Sequence, residues 1–206
     1  MSADYSPNEK KYMLSLARAS MELYVKFGKV LKIDTGDAPK SLLEERACFV
    51  SLHGNSGLRG CIGSLQAFRP LVEDISANAI ASATQDPRFP PVQESELGNV
   101  TISISVLSKP KPLFVKSGED LLSKLKKGRD GLIIKKGFCS ATFLPVVWDD
   151  LSEKEEFLTH LCRKAGLSAD EWRDSEGMQF FVYGAEEFSE GEVKKWFWTR
   201  FLHAGE

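Results

Sequence analysis

The fold is decided by a short stretch in the first third of the chain, ACFVSLHGNSGLRGCIGSL at residues 47–65. The small and apolar side chains at 47–52 are typical of a buried strand. The glycines and polar residues at 53–57 are turn formers, and residues 58–65 follow as a returning strand. We therefore predict a β-hairpin, which is a basic unit of an antiparallel sheet.

The register of this hairpin determines which side chains lie next to one another. The simplest pairing across the turn places Ser51 opposite Arg59. It then places Phe49 opposite Cys61. Because side chains alternate between the two faces of a strand, Arg59, Cys61 and Gly63 share one face. Arg59 would then lie about 6–7 Å from Cys61 along the strand.

The cysteine of this hairpin is unusual because Gly60 and Gly63 lie so close to it. Glycine weakens the interior of a strand, so two of them require a reason. One reason is that a ligand approaches the backbone here and leaves the Cys61 thiol reachable. The guanidinium of Arg59 would then favour the thiolate, or bind a substrate carboxylate or phosphate. The alternative is that the glycines let a helix pack on the sheet while Cys61 fills space.

Helices and strands alternate along the rest of the chain. Capping residues and apolar periodicity predict helices at 7–27, 70–85, 118–127 and 153–165. Alternating or apolar runs predict further strands at 100–106, 131–135, 138–144 and 178–183. Hairpin turns outnumber crossover helices, so we predict an α+β fold with a largely antiparallel sheet flanked by helices. The aromatic end is predicted to dock on the core through Trp196, Phe197, Trp198 and Phe201.

We predict a single domain over residues 1–206. Its smaller lobe, if separate, spans about 111–150. The lobe boundary is placed at Lys109-Pro110-Lys111-Pro112, because prolines that follow a strand stop its pairing.

The composition excludes several classes of protein. The 206 residues include 42% hydrophobic and 27% charged residues, the mixture of an ordinary globular protein. The net charge of −2 makes general nucleic-acid binding unlikely and leaves RNA or nucleotide binding only as a local effect. No apolar run approaches the ~18 residues that span a bilayer. Four cysteines without a secretory signal pattern favour a reducing cytoplasm.

The spacing of cysteines and histidines predicts neither a metal site nor a catalytic dyad. No two cysteines form a C-x-x-C pair, and Cys48, Cys139 and Cys162 are predicted to be small buried residues. A thiol nucleophile usually needs a base. His53 lies in the predicted turn, where a histidine is usually just solvated. His160 lies on a predicted helix and could reach the thiol only through the fold.

A second motif is the loop DPRFPP at residues 86–91, which three prolines stiffen. It could present Arg88 and Phe89 at the edge of a pocket. It could equally be a packed connector in which Phe89 anchors the loop and Arg88 pairs with Asp86. The strand after it alternates strictly, and its hydroxyl face is either solvated or the floor of a polar site. That face carries Thr101, Ser103 and Ser105.

These motifs resemble the landmarks of the AMMECR domain family. The string LRGCIG at residues 58–63 resembles the signature of that family, and other landmarks occur in the family's order. They are CFV at 48–50, DPRFPP at 86–91, SVL at 105–107, GLI at 131–133, TFLP at 142–145 and KAGL at 164–167. The resemblance covers residues 8–200.

The resemblance implies more about fold than about function. It implies an α+β protein with a larger and a smaller lobe around a cleft near the signature. Prokaryotic relatives are called protein A of the AmmeMemoRadiSam system, alongside a Memo-type protein and a radical S-adenosylmethionine (SAM) enzyme. Two positions depart from the family pattern. Val146 stands where relatives often have Gln, and Asp130 stands where they often have His.

Two functional hypotheses follow. In the first, the chain is a cysteine-dependent enzyme acting on a small or modified substrate, with Cys61 as nucleophile and Arg59 as charge stabiliser. The substrate would be bound by Gly60, Gly63, Arg88 and Phe89. In the second, it is a non-catalytic ligand-binding or adaptor module that works with Memo-type and radical SAM partners. The cofactor, the substrate and the general base stay unknown at this level.

Overall fold

The computed structural model describes residues 5–36, 38–174 and 176–191, which form two compact units. Among the described residues, the first unit comprises 5–36, 38–107 and 186–191. The second unit comprises residues 108–185. Each unit is built on a four-stranded sheet with antiparallel pairing and on helices. The predicted α+β class is therefore confirmed.

The main helices and strands follow one another along both units. In chain order they are α1 (Pro7–Phe27), β1 (Cys48–Gly54), β2 (Gly57–Gly63), α2 (Leu71–Thr84), β3 (Thr101–Leu107), β4 (Lys111–Pro112), α3 (Gly118–Lys124), β5 (Gly131–Lys136), β6 (Cys139–Phe143), α4 (Lys154–Lys164), β7 (Gln179–Tyr183) and β8 (Ala185–Ser189).

The first helix begins and ends at the predicted residues. The Ser6 hydroxyl accepts the Glu9 N–H, and the Glu9 carboxylate accepts the Ser6 N–H at 2.7 Å. Gly28 ends the helix in the left-handed region with φ 64°. The sequence also predicts a capping box over residues 152–155 for the fourth helix. That prediction is wrong, because α4 begins at Lys154, with Glu153 at the cap position and no side-chain cap bond.

The core of the first unit lies between one face of its sheet and the two long helices. The strand order is β2-β1-β3-β8, so β2 lies at an edge. Alternate side chains of β1 and β3 are buried against α1 and α2, as a half-covered sheet requires. The fully buried members include Val50, Leu52, Ile75, Ala79, Ile102 and Ile104.

The predicted register of the hairpin is wrong. Cys61 pairs with Ser51, not with Phe49, and Phe49 pairs with Gly63. Strand pairing continues to Gly54 and Gly57, closer to the turn than expected, so the turn itself contains only two residues. A β-bulge beside Leu52 then adds one residue to β2 and shifts every partner after it.

The two glycines near the cysteine both leave room for a neighbour. A Cβ on Gly60 would lie 2.1 Å from the carbonyl oxygen of Ser82 in α2. A Cβ on Gly63 would lie 2.3 Å from the ring of Phe49 on the paired strand. Both distances are far below van der Waals contact, so tight packing accounts for both glycines. Substrate approach at these positions stays a prediction.

The second unit has the strand order β4-β7-β5-β6 and its own apolar core. Trp148 stacks on Phe157 with ring centroids 3.8 Å apart. The unit contains the segment 111–150 and continues to residue 185, because β7 pairs with β5. The strand β3 ends at Leu107, just before the predicted boundary, and Pro112 lies in the short edge strand β4 of the second sheet, where proline is tolerated. The aromatic end at 196–201 lies outside the described residues.

Candidate functional site

A row of polar side chains crosses the first sheet on the face opposite the two helices. Cys61 of β2 pairs with Ser51 of β1, and Ser51 pairs with Ser103 of β3. The Ser51 hydroxyl donates to the Cys61 sulfur at 3.1 Å. His53 Nε2 lies 3.0 Å from the Ser103 hydroxyl. We call these four residues the polar row. Of the hydroxyl face of β3, Ser103 belongs to this row, whereas Thr101 is exposed.

The sulfur of Cys61 differs from two of the other thiols in its exposure. Cys61 is half-buried, whereas Cys48 and Cys162 are buried as predicted. Burial raises the pKa of both buried thiols, so they stay protonated at neutral pH. Cys139 was predicted to be buried and is half-buried, because it starts β6 directly after a turn and beside the exposed Phe138.

The DPRFPP loop holds the outer edge of β2 at the cysteine. The Cys61 N–H donates to Asp86 Oδ2 at 2.8 Å, and Arg88 Nη2 lies 3.4 Å from the Cys61 carbonyl oxygen. Side chains of the loop therefore occupy the positions that a further strand would take. Arg88 pairs with Asp86, as the second alternative for this loop expected, and it also lies beside the Cys61 carbonyl. A place for Arg88 and Phe89 at the edge of a pocket stays a prediction.

The ion pair in this loop has a buried carboxylate and a half-exposed guanidinium. Arg88 Nε and Nη2 donate to the two oxygens of Asp86 at 3.0 and 2.7 Å. These hydrogen bonds hold the pKa of Asp86 well below its usual range. The Arg88 guanidinium carbon also lies 5.4 Å from the ring centroid of Phe89, a cation–π distance.

The guanidinium of Arg59 is directed at other groups. Its Nε and Nη2 donate to the carboxylate of Glu96 at 2.8 and 3.1 Å, and its Nη1 donates to the Pro90 carbonyl at 2.8 Å. These bonds lower the pKa of Glu96 and tie β2 to the loop and to the 3₁₀ helix that follows it. The geometry gives Arg59 a positioning role, and its role as charge stabiliser stays a prediction.

Sequence reasoning missed Ser51 and Asp86 as members of the site. The predicted register placed Phe49 opposite Cys61, and Ser51 lies on the same face of β1 as Phe49. The β-bulge, which the sequence does not reveal, makes Ser51 the partner of Cys61. Asp86 was considered only as a partner of Arg88. His53 was interpreted as a turn residue, whereas it lies within β1 and is hydrogen-bonded there.

Two further properties of the described residues concern metal ions and membranes. Within the described residues, no group of three or more His, Cys, Asp and Glu side chains could hold a metal ion. In the same ranges, no helix is both long enough and apolar enough to cross a membrane.

The fold and site together define an α+β protein whose edge-strand cysteine is held by a proline-rich loop. A crystal structure of the uncharacterized protein PH0010 from Pyrococcus horikoshii is similar, with a TM-score of 0.75 and 39% identity. The match covers 89% of this chain and 92% of that one. Protein MJ0810 of Methanocaldococcus jannaschii is 40% identical over 90% of this chain and 92% of its own length.

A protein from Thermococcus onnurineus is 41% identical over 90% of this chain and 94% of its own length. The family model for AMMECR1 matches residues 14–188. The chain belongs to the AMMECR1 family, which confirms the resemblance seen in the sequence.

Proposed function

We propose that the chain is a cysteine-dependent enzyme in which the Cys61 thiolate attacks a small or modified substrate bound on the polar row. The observation that carries this proposal is the half-buried Cys61, whose sulfur has the Ser51 hydroxyl 3.1 Å away. The Ser51 hydroxyl orients the sulfur by donating a hydrogen bond to it, and the thiolate is the nucleophilic form of cysteine. This environment differs from those of the buried Cys48 and Cys162.

The rest of the polar row supplies the polar contacts that a substrate needs. His53 lies on β1 diagonally across from Cys61, at about 7–8 Å between Cα atoms for such neighbours. A small molecule lying across the row would therefore contact the sulfur at one end and the imidazole at the other. In this proposal His53 provides the base that thiol chemistry requires.

The remaining predicted residues frame this site. Arg59 holds β2 against the loop and, as a permanent cation on the same strand, contributes to charge stabilisation. The Glu96 carboxylate neutralises part of the Arg59 charge, so the larger contribution of Arg59 is to position β2. Contacts with the substrate are assigned to Arg88 and Phe89, since Gly60 and Gly63 are already packed against Ser82 and Phe49.

A second candidate function is a non-catalytic ligand-binding or adaptor module that works with Memo-type and radical SAM partners. The contacts of Arg59 favour it, because all three of its nitrogens are engaged by Glu96 and Pro90 and none of them is directed at the sulfur. Both candidates suit a cytoplasmic protein, since all four cysteines are free thiols.

The substitution Cys61→Ser separates the two candidates. We expect it to abolish complementation in a strain that depends on this chain, because a hydroxyl is a far weaker nucleophile than a thiolate at neutral pH. Cys139→Ser is the matched control, since Cys139 is also half-buried in a strand, and it should complement fully. Circular dichroism and urea unfolding would establish that both variants fold. If Cys61→Ser complements like the wild type, catalysis by Cys61 is contradicted and the adaptor function is supported.

A further inference from the structure

The guanidinium of Arg88 is held on one edge and open at the other. Asp86 engages Nε and Nη2, and the Cys61 carbonyl lies near Nη2 as well. Nη1 has no hydrogen-bond partner among residues 5–36, 38–174 and 176–191. The side chain is 54% exposed, whereas that of Asp86 is 3% exposed. The buried carboxylate therefore fixes a cation whose remaining donors face outward.

A guanidinium fixed in this way is suited to binding an anion. Arginine presents its donors in a planar fork that matches carboxylate and phosphate oxygens. Because Asp86 and the Phe89 ring already restrict the side chain, less conformational entropy is lost when a ligand binds. The position beside the Cys61 carbonyl places such a ligand next to the residue that carries the thiol.

We propose that Arg88 binds a carboxylate or phosphate group of the substrate that reacts at Cys61, with Asp86 as the positioning residue. This inference rests on the proposed function of Cys61 and names the chemical class of its substrate.

Two alkylating reagents of nearly equal size test the proposal, iodoacetate and the neutral iodoacetamide. In both reactions the sulfur attacks the methylene carbon, a C–S bond forms, iodide leaves and the thiol proton goes to solvent. The measured quantity is the rate ratio of iodoacetate to iodoacetamide at Cys61, divided by the same ratio at Cys139 in the same chain. We expect about a tenfold excess at Cys61, the effect of one charge-assisted hydrogen bond.

Arg88→Gln should bring this quotient close to unity, so that Cys61 no longer differs from Cys139 in its preference for iodoacetate. Arg129→Gln is the matched control, because Arg129 also donates through Nε to a neighbouring aspartate, at 2.9 Å, and its side chain is 63% exposed. In the wild type, inorganic phosphate should slow the reaction of iodoacetate at Cys61 and leave Cys139 unchanged. This measurement keeps the proposal testable even if Arg88→Gln fails to fold.

The outcomes distinguish this inference from the function on which it rests. If Cys61 reacts rapidly with iodoacetamide but shows no excess for iodoacetate, anion binding by Arg88 is overturned and the reactive thiol stands. If a folded Arg88→Gln variant keeps the iodoacetate excess at Cys61, anion binding by Arg88 is also overturned. If Cys61 reacts slowly with both reagents, the proposed function and this inference are both overturned.

Discussion

Replacing Asp74 with asparagine is expected to lower the free energy of unfolding by about 3 kcal/mol or more. The carboxylate is 1% exposed and lies between α2 and the start of the hairpin. One oxygen accepts from the Cys48 N–H at 2.9 Å and from Asn78 at 3.0 Å. The other accepts from Ser64 and Arg69, each at 2.8 Å. The Cys48 thiol also donates to the first oxygen, at 3.2 Å. Because each oxygen accepts from at least two donors, an amide nitrogen would face at least two donors in either orientation.

Urea unfolding of Asp74→Asn measures this effect. Glu22→Gln is the matched control in the same unit. Its partners Arg18 and Lys26 lie on α1, at 3.8 and 3.6 Å, and its side chain is 36% exposed. Loss of those exposed pairs should cost less than about 0.5 kcal/mol. If Asp74→Asn falls within that same small range, the buried hydrogen-bond network does not stabilise the hairpin as described.

Gly60→Ala is expected to destabilise the first unit by about 3 kcal/mol. The new Cβ would lie 2.1 Å from the Ser82 carbonyl oxygen, which belongs to the helix backbone and cannot rotate away. The Ser82 hydroxyl also donates to the Val50 carbonyl at 2.7 Å and accepts the Ile62 N–H at 2.9 Å. A shift of α2 would therefore break two further hydrogen bonds to the hairpin.

Gly54→Ala in the same hairpin is the control for this substitution. A Cβ there would meet only the Cβ of Arg59, at an ordinary 3.9 Å. Its effect should stay within about 0.5 kcal/mol, since the loss of chain entropy in the unfolded state offsets small packing changes. Equal unfolding midpoints for the two variants would show that close packing of α2 is not what requires Gly60.

Local signals in the sequence predicted the elements well. The capping box at Ser6 and the left-handed Gly28 define α1, and strict alternation defines β3. The LRGCIG string also predicted the family correctly. Such features depend on residues close together in the chain, which is why a sequence alone contains them.

The arrangement of the site could be predicted only in part. The β-bulge beside Leu52 has no clear sequence signal, yet it places Ser51 rather than Phe49 opposite Cys61. The contact of Asp86 with the Cys61 N–H joins residues 25 positions apart. Such long-range contacts arise from the packing of α2 and its loop against the sheet, and no local pattern specifies them.

The alkylation rates of the four cysteines by iodoacetamide at neutral pH, followed peptide by peptide with mass spectrometry, test the central claim most directly. We predict that Cys61 reacts fastest, because the residue is only half-buried and its sulfur accepts a hydrogen bond from Ser51. Cys48 and Cys162 should react slowest, because burial raises the pKa of both thiols. A Cys61 that reacts no faster than Cys139 would contradict the account of a reactive thiol on the polar row.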